Sequence, residues 1–265
     1  MNILCVGNSF AVDVHTYVHE IAKANGIDIN ICVLYIGGCP ISRHWKNFNT
    51  KEKEYDFYIN GVASFQCDIF EGLNYMKWDY ITFQQRSGDS CDADTFFPEL
   101  TLLMEGIRKY SDATYLLHKT WSYAKSFSHD RYGSNPMDQD AMTRDIDDAY
   151  LKVKERSGIK YIIPSGTAIR LAREVYGDTL DRDGYHLSER GRTVTGLLWV
   201  YFLTGKKELD ISKFNPSGYT YDEVTPPVSR EELEELNKIA KEAIKENNTP
   251  KSLNNMRYRG VFSVN

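Results

Sequence analysis

The chain has 265 residues, 42% of them hydrophobic and 26% charged, with a formal net charge of −5. That length suits one α/β domain with a large core and is short for two full domains. The acidic balance, with no dense Lys/Arg cluster, argues against a nucleic-acid partner, and the longest apolar stretch, residues 196–203, falls well below the ~20 residues that span a bilayer.

The first strand is predicted over residues 2–6, where Ile3, Leu4, Cys5 and Val6 form an apolar run too short for the core of a secretory leader, so a cytoplasmic protein is expected. Gly7-Asn8-Ser9-Phe10 follows it, then a helix over about 13–25 and a second strand over about 29–36. Residues 39–61, with His44, Trp45, Tyr55, Phe57 and Tyr58, break the alternation as a polar aromatic insertion that includes a short hairpin. The pattern resumes with a helix near 62–76, a strand near 79–84, a helix near 97–110 and a strand near 113–118. A second aromatic insertion, 121–138, runs from Trp121 through Tyr123, Phe127, His129 and Tyr132 to Pro136. A helix near 140–157, a strand near 159–163 and a helix near 189–203 complete the series.

Strands alternating with helices imply βαβ crossovers and a parallel sheet covered on both faces. The expected fold is α/β, a three-layer α/β/α sandwich on a flavodoxin-like, five-stranded parallel sheet spanning residues 1–225. Beyond Pro226 and Pro227, Ser229 and Glu232 have the spacing of a capping box, and Leu233, Leu236, Ile239, Ala240 and Ala243 form a helical stripe. Residues 226–265 therefore read as a helix and tail appended to the same domain, the helix packing on it or on a partner. The five cysteines, Cys5, Cys32, Cys39, Cys67 and Cys91, are scattered without a CxxC pair, which suggests reduced structural thiols and no zinc site.

Two short patterns carry chemistry. A Gly-x-Ser triplet alone marks only a turn or helix start, but Gly7-Asn8-Ser9 sits where a parallel strand ends, so the Ser9 hydroxyl can face the ligand crevice and its N–H can stabilise an anion. Asp183 and His186, at i and i+3, form either a solvated pair or a local acid–base unit. In the second case the carboxylate holds Nδ1–H and leaves Nε2 to take a serine proton. His118, at the end of the fourth strand, is either a satisfied structural residue or, with Trp121, part of an acyl pocket. His15 and His19 lie one helical turn apart without a third metal ligand.

Gly7-Asn8-Ser9-Phe10 and Asp183-Gly184-Tyr185-His186-Leu187-Ser188 together resemble the first and last blocks of the SGNH (GDSL-type) serine hydrolases, over about residues 2–203. Asn8 and Phe10 stand where the family usually has Asp and Leu. The resemblance implies Ser9 as nucleophile, His186 as base and Asp183 as its orienting acid, with oxyanion donors from the N–H groups of Ser9 and Gly38. The family's Gly-x-Asn-Asp block is replaced here by Gln84-Gln85-Arg86-Ser87, so the remaining oxyanion donor is expected to be the amide of Gln85. Gln84 is the poorer choice if the strand turns it inward. The implied activity is hydrolysis of a small acyl ester, an acetyl group on a carbohydrate being favoured, without metal or cofactor. A lipid or thioester hydrolase and a non-catalytic carbohydrate-binding or scaffold descendant are the alternatives.

Overall fold

The computed structural model describes residues 1–134, 136–216 and 226–246. In chain order the strands are β1 (Asn2–Gly7), β2 (Asn30–Tyr35), β3 (Tyr55–Ile59), β4 (Val62–Cys67), β5 (Tyr80–Phe83), β6 (Thr114–His118), β7 (Ser128–His129), β8 (Gly133–Ser134) and β9 (Ile162–Ile163). The helices are α1 (Ser9–His15), α2 (Val18–Ala24), α3 (Ile41–Thr50), α4 (Ile69–Asn74), α5 (Glu99–Arg108), α6 (Gln139–Ser157), α7 (Ser165–Tyr176), α8 (Glu189–Thr204) and α9 (Arg230–Glu246).

Seven strands make one sheet in the order β4-β3-β2-β1-β5-β6-β9, with β1 at its centre. Ile3, Leu4, Cys5 and Val6 are all buried, as a continuous apolar run must be when both faces of a strand are covered. Strands β2, β1, β5, β6 and β9 are mutually parallel and form the expected five-stranded core. The sheet then extends by two antiparallel strands, β3 and β4, which the five-stranded reading does not contain. The predicted helix over 62–76 is thus corrected to an edge strand, Val62–Cys67, followed by the short α4. The expected hairpin is not contained in residues 39–61: only its first strand, β3, lies there, and Asn60 and Gly61, both with positive φ (+49° and +89°), make the two-residue turn that joins it to β4 beyond the insertion.

Helices α1, α2, α7 and α8 pack together on one face of the sheet; α3 contacts α4 and α5 on the other, and α6 joins that side through the single-turn helix Ala93–Phe96. The predicted helix over 13–25 is two helices, α1 and α2, separated at Thr16 and Tyr17. Helix α7 has no counterpart among the predicted elements. Helix α8 is buried nearly all round, because α1, α2, α7 and α9 surround it. The capping box at the start of α9 forms, with Ser229 N–H donating to Glu232 Oε2 (2.7 Å) and Glu232 N–H to Ser229 Oγ (3.2 Å). Its apolar stripe packs on α7 and α8, and Tyr201 donates to Asn237 across that contact (2.8 Å). The predicted tail lies outside the described residues. Among the described residues, no helix is long and apolar enough to cross a membrane.

Candidate active site

The chain leaves β1 toward β2 and leaves β5 toward β6, on opposite sides. The carboxyl ends of the adjacent strands β1 and β5 therefore flank the crevice where open α/β sheets bind ligands. Ser9 opens α1 at that edge. The turn into it is tight: a Cβ on Gly7 would lie 2.8 Å from the Ala11 Cβ, so the strand can approach the helix this closely only with glycine there.

Asn8, not Ser9, caps the helix. Its Oδ1 accepts from Phe10 N–H (3.1 Å) and from Gln84 Nε2 (2.8 Å), while its Nδ2 donates to the carbonyls of Cys39 (3.1 Å) and Gln85 (3.4 Å). One buried amide thus joins the loops that follow β1, β2 and β5. The capping role open to a serine at a helix start is taken by its neighbour, and the half-buried Ser9 keeps its hydroxyl for other work. Its N–H belongs to the first helical turn and has no intrahelical acceptor. Gly38 is exposed on the β2–α3 loop, next to the Cys39 carbonyl that Asn8 holds.

Asp183 and His186 form the local pair expected from their spacing. His186 Nδ1 lies 2.6 Å from Asp183 Oδ2, and His186 N–H donates to Asp183 Oδ1 (2.8 Å). Burial alone would raise the Asp183 carboxyl, but hydrogen bonds from the His186 ring and from the backbone N–H groups of His186 and Tyr185 hold it below its ordinary value. An ionised Asp183 accepting Nδ1–H leaves the basic lone pair on Nε2. The His186 ring packs edge-on against Phe10, the residue after Ser9, with centroids 6.2 Å apart.

Gln85 does not stand free at the crevice. It is 1% exposed, its Nε2 donates to Thr95 O (2.7 Å) and Thr95 Oγ1 (3.3 Å), and its Oε1 accepts from the N–H groups of Ile41 (3.0 Å) and Arg86 (2.9 Å). With both amide hydrogens directed at the 92–95 turn, it ties loops together; its expected part as an oxyanion donor is corrected on that geometry. Gln84 is turned inward, bonded to Asn8 through Nε2 and to His118 Nδ1 through Oε1 (2.6 Å). His118 is fully buried, its ring edge-on to Trp199 at 5.2 Å, and burial pushes its pKa down to about 3. It is the structural histidine rather than a substrate contact. Among the described residues its Nε2 has no hydrogen-bond partner.

The second insertion folds over the Asp183–His186 turn. Trp121 Nε1 donates to Tyr185 O (2.8 Å), Ala124 N–H to Gly184 O (2.7 Å), and Gly184 packs so closely on Phe127 that a Cβ would come within 2.7 Å of its ring. Phe10 and Trp121 stack with centroids 3.9 Å apart, both buried. Outside them lies a partly exposed rim, with Tyr185 4.1 Å from the His186 ring and 5.0 Å from Phe127. Tyr123 bonds Ser87 through its hydroxyl (2.9 Å) and His129 Nε2 meets Gly88 O (3.0 Å), which docks the insertion on the loop after β5. The contacts of Asn8, Asp13, Gln84 and Arg182 are not legible in the sequence, because their partners lie far away along the chain.

A parallel core in this order with helices on both faces is the fold of the SGNH hydrolases. The chain belongs to the family described as Domain of unknown function (DUF4886), which it matches over residues 2–224. It is similar to the crystal structure of a DUF4886 family protein from Bacteroides uniformis, with 30% identity and a TM-score of 0.80 over 95% of this chain and 97% of that one. More remote likenesses support the fold alone. A candidate SGNH hydrolase from Slackia heliotrinireducens has 21% identity and a TM-score of 0.53 over 76% of this chain and 97% of its own. A candidate GDSL-like lipase from Parabacteroides merdae has 12% identity and a TM-score of 0.50 over 75% and 93%. No curated protein matches the chain.

Proposed function

We propose that this protein is a serine esterase that removes a small acyl group, favouring acetyl, from a carbohydrate. The observation that carries the reading is the Asp183–His186 pair, held beside the turn on which Ser9 opens a helix at the switch point of the sheet. His186 Nε2 takes the Ser9 proton as Oγ bonds to the ester carbonyl carbon, and the N–H groups of Ser9 and Gly38 receive the oxyanion. Collapse breaks the bond to the alcohol oxygen, which leaves with the proton from His186. Water, deprotonated by the same ring, then attacks the acyl-Ser9 carbonyl and releases the acid and the free hydroxyl.

The short acyl group is supported by Phe10 and Trp121, whose stacked rings fill the interior beside Ser9. The carbohydrate is supported by the partly exposed rings of Tyr185 and Phe127, 5.0 Å apart, with the Tyr185 hydroxyl for polar contact. Without the Gln85 amide the oxyanion has one donor fewer than the family pattern supplies, a difference on the order of 10²–10³ in rate. That same observation favours a second reading, a binding descendant without turnover.

Hydrolysis of 4-nitrophenyl acetate, butyrate and octanoate by the wild type and by Ser9→Ala separates them. Turnover that falls with chain length and vanishes in Ser9→Ala is the expected result. No turnover on any ester, and no adduct of Ser9 with a fluorophosphonate, would leave the binding reading.

A further inference from the structure

We propose that Asp13 is a positioning residue that, with Arg182, clamps the Asp183–His186 turn onto the helix carrying Ser9 and so sets the distance between nucleophile and base. The inference rests on the esterase reading above. Asp13 lies on α1 one helical turn past Ser9, and its side chain is 2% exposed. Its Oδ2 accepts from Leu187 N–H (2.8 Å), the residue after His186. Its Oδ1 accepts from Arg182 Nη1 (2.9 Å), the residue before Asp183. Both ends of the turn are therefore held by one carboxylate on the nucleophile's own helix.

The turn is also closed on itself at this point. Arg182 N–H donates to His186 O (2.8 Å), and Arg182 Nη1 donates to Leu187 O (2.6 Å). From behind, Arg192 directs Nε (3.2 Å) and Nη2 (3.1 Å) at Asp13 Oδ1 and Nη1 at Glu189 (3.1 Å), while Tyr17 donates to Glu189. Burial acts against the charge on Arg192, but Asp13 and Glu189 outweigh it and raise its pKa above the usual guanidinium value. A buried ionic cluster of this kind adds little net stability over apolar packing; what it supplies is a fixed geometry, because a carboxylate with this many donors has one orientation. The cluster touches neither Ser9 nor the His186 ring in any hydrogen bond, so its influence on the reaction runs through backbone placement. A misplacement of about 1 Å between reacting groups costs on the order of 10²-fold in rate.

The test compares two variants with the full-length wild type on 4-nitrophenyl acetate and in Ser9 labelling by a fluorophosphonate. Arg182→Gln removes one arm and leaves the Asp13–Arg192 pair intact; Asp13→Asn removes the charge and one of the two acceptor oxygens, so Arg182 and Leu187 N–H can no longer both be held as they are. The expected result is a slowing of turnover on the order of 10-fold for Arg182→Gln and 10²-fold for Asp13→Asn, with KM within about twofold and labelling slowed in parallel. Arg182→Lys, which restores a cationic donor, should recover part of the loss. Should Asp13→Asn not fold, Arg182→Gln decides alone. Equal turnover and labelling in wild type and Arg182→Gln would overturn the clamp while leaving the esterase standing. A wild type that neither turns over an ester nor labels at Ser9 would overturn both.

Discussion

The Asp183–His186 turn and the Gln84–Gln85 turn flank the same crevice and are built from similar polar side chains, yet one presents its chemistry outward and the other has folded it away. In the first, a single local hydrogen bond orients a partly exposed imidazole. In the second, two amides are both 1% exposed and bonded to Asn8, His118, Thr95, Ile41 and Arg86. A residue type suited to catalysis is therefore no evidence of a catalytic role until its donors and acceptors have been accounted for. Buried amides are obliged to pair, and pairing removes them from the solvent side.

The largest effect that would sharpen this contrast comes from Asp183→Asn. The amide cannot hold Nδ1–H as the carboxylate does, and turnover should fall by about 10²–10⁴. Thermal unfolding should move little, since the Asp183 side chain is partly exposed and its bonds are local. A variant that keeps its rate would mean that His186 is oriented by something other than its neighbour. Gln85→Ala should behave in the opposite way. Ile41 N–H, Arg86 N–H and the Thr95 carbonyl lose a partner, at a cost of about 1–3 kcal/mol in denaturant unfolding, while turnover stays within a few-fold of wild type. Turnover slowed by about 10²-fold at unchanged stability would return Gln85 to the oxyanion hole and break the comparison.

The smallest effect belongs to His118. Its pKa, pushed by burial from an ordinary 6.5 to about 3, keeps the folded ring neutral, whereas the unfolded chain takes up a proton below pH 6.5. The unfolded state then binds more protons, so this contribution to stability is complete above pH 6.5 and is lost as the pH falls toward 3, at up to about 1.4 kcal/mol per unit. His118→Gln should accordingly show a shallower decline in unfolding free energy than the wild type between about pH 5.5 and about pH 4.5. An identical slope would show that the ring is charged in the fold and that the Gln84 turn is less closed than its hydrogen bonds imply.

The same division explains what is legible in the chain. The parallel core can be read because β1, β2, β5 and β6 are buried on both faces and therefore written as continuous apolar runs. Strand β4 cannot, because Val62 to Gln66 are solvent-exposed at the sheet edge and their extended form depends on pairing with β3, a contact no local periodicity reports. The Asn60-Gly61 turn does signal a hairpin in the sequence, and only its second strand is hidden behind a helix-like pattern. Helix α7 begins with Ser165, Gly166 and Thr167, small residues that look like a loop; Gly166 is there because a Cβ would strike the Thr120 carbonyl. At the site, the Asp183–His186 pair spans three residues and shows in the sequence as a spacing. Asp13, by contrast, meets its partners 169 to 179 residues away, and only the fold brings them together.

The docking of the second insertion carries one more implication, for how such a protein can change. The turn that bears His186 is gripped from beneath by Asp13 of α1, itself held by Arg192 of α8, and touched from above by residues 121–127. The hydrogen bonds of the two sides share no side chain, and Phe10, stacked on Trp121, makes an apolar contact between them. On the esterase reading, the outer wall of the site can thus change apart from the hydrogen bonds that hold the turn on α1. Provided Trp121 and Ala124 keep their bonds to the turn and Phe127 its packing on Gly184, residues 128–134 are the part of the insertion that can change without touching that turn.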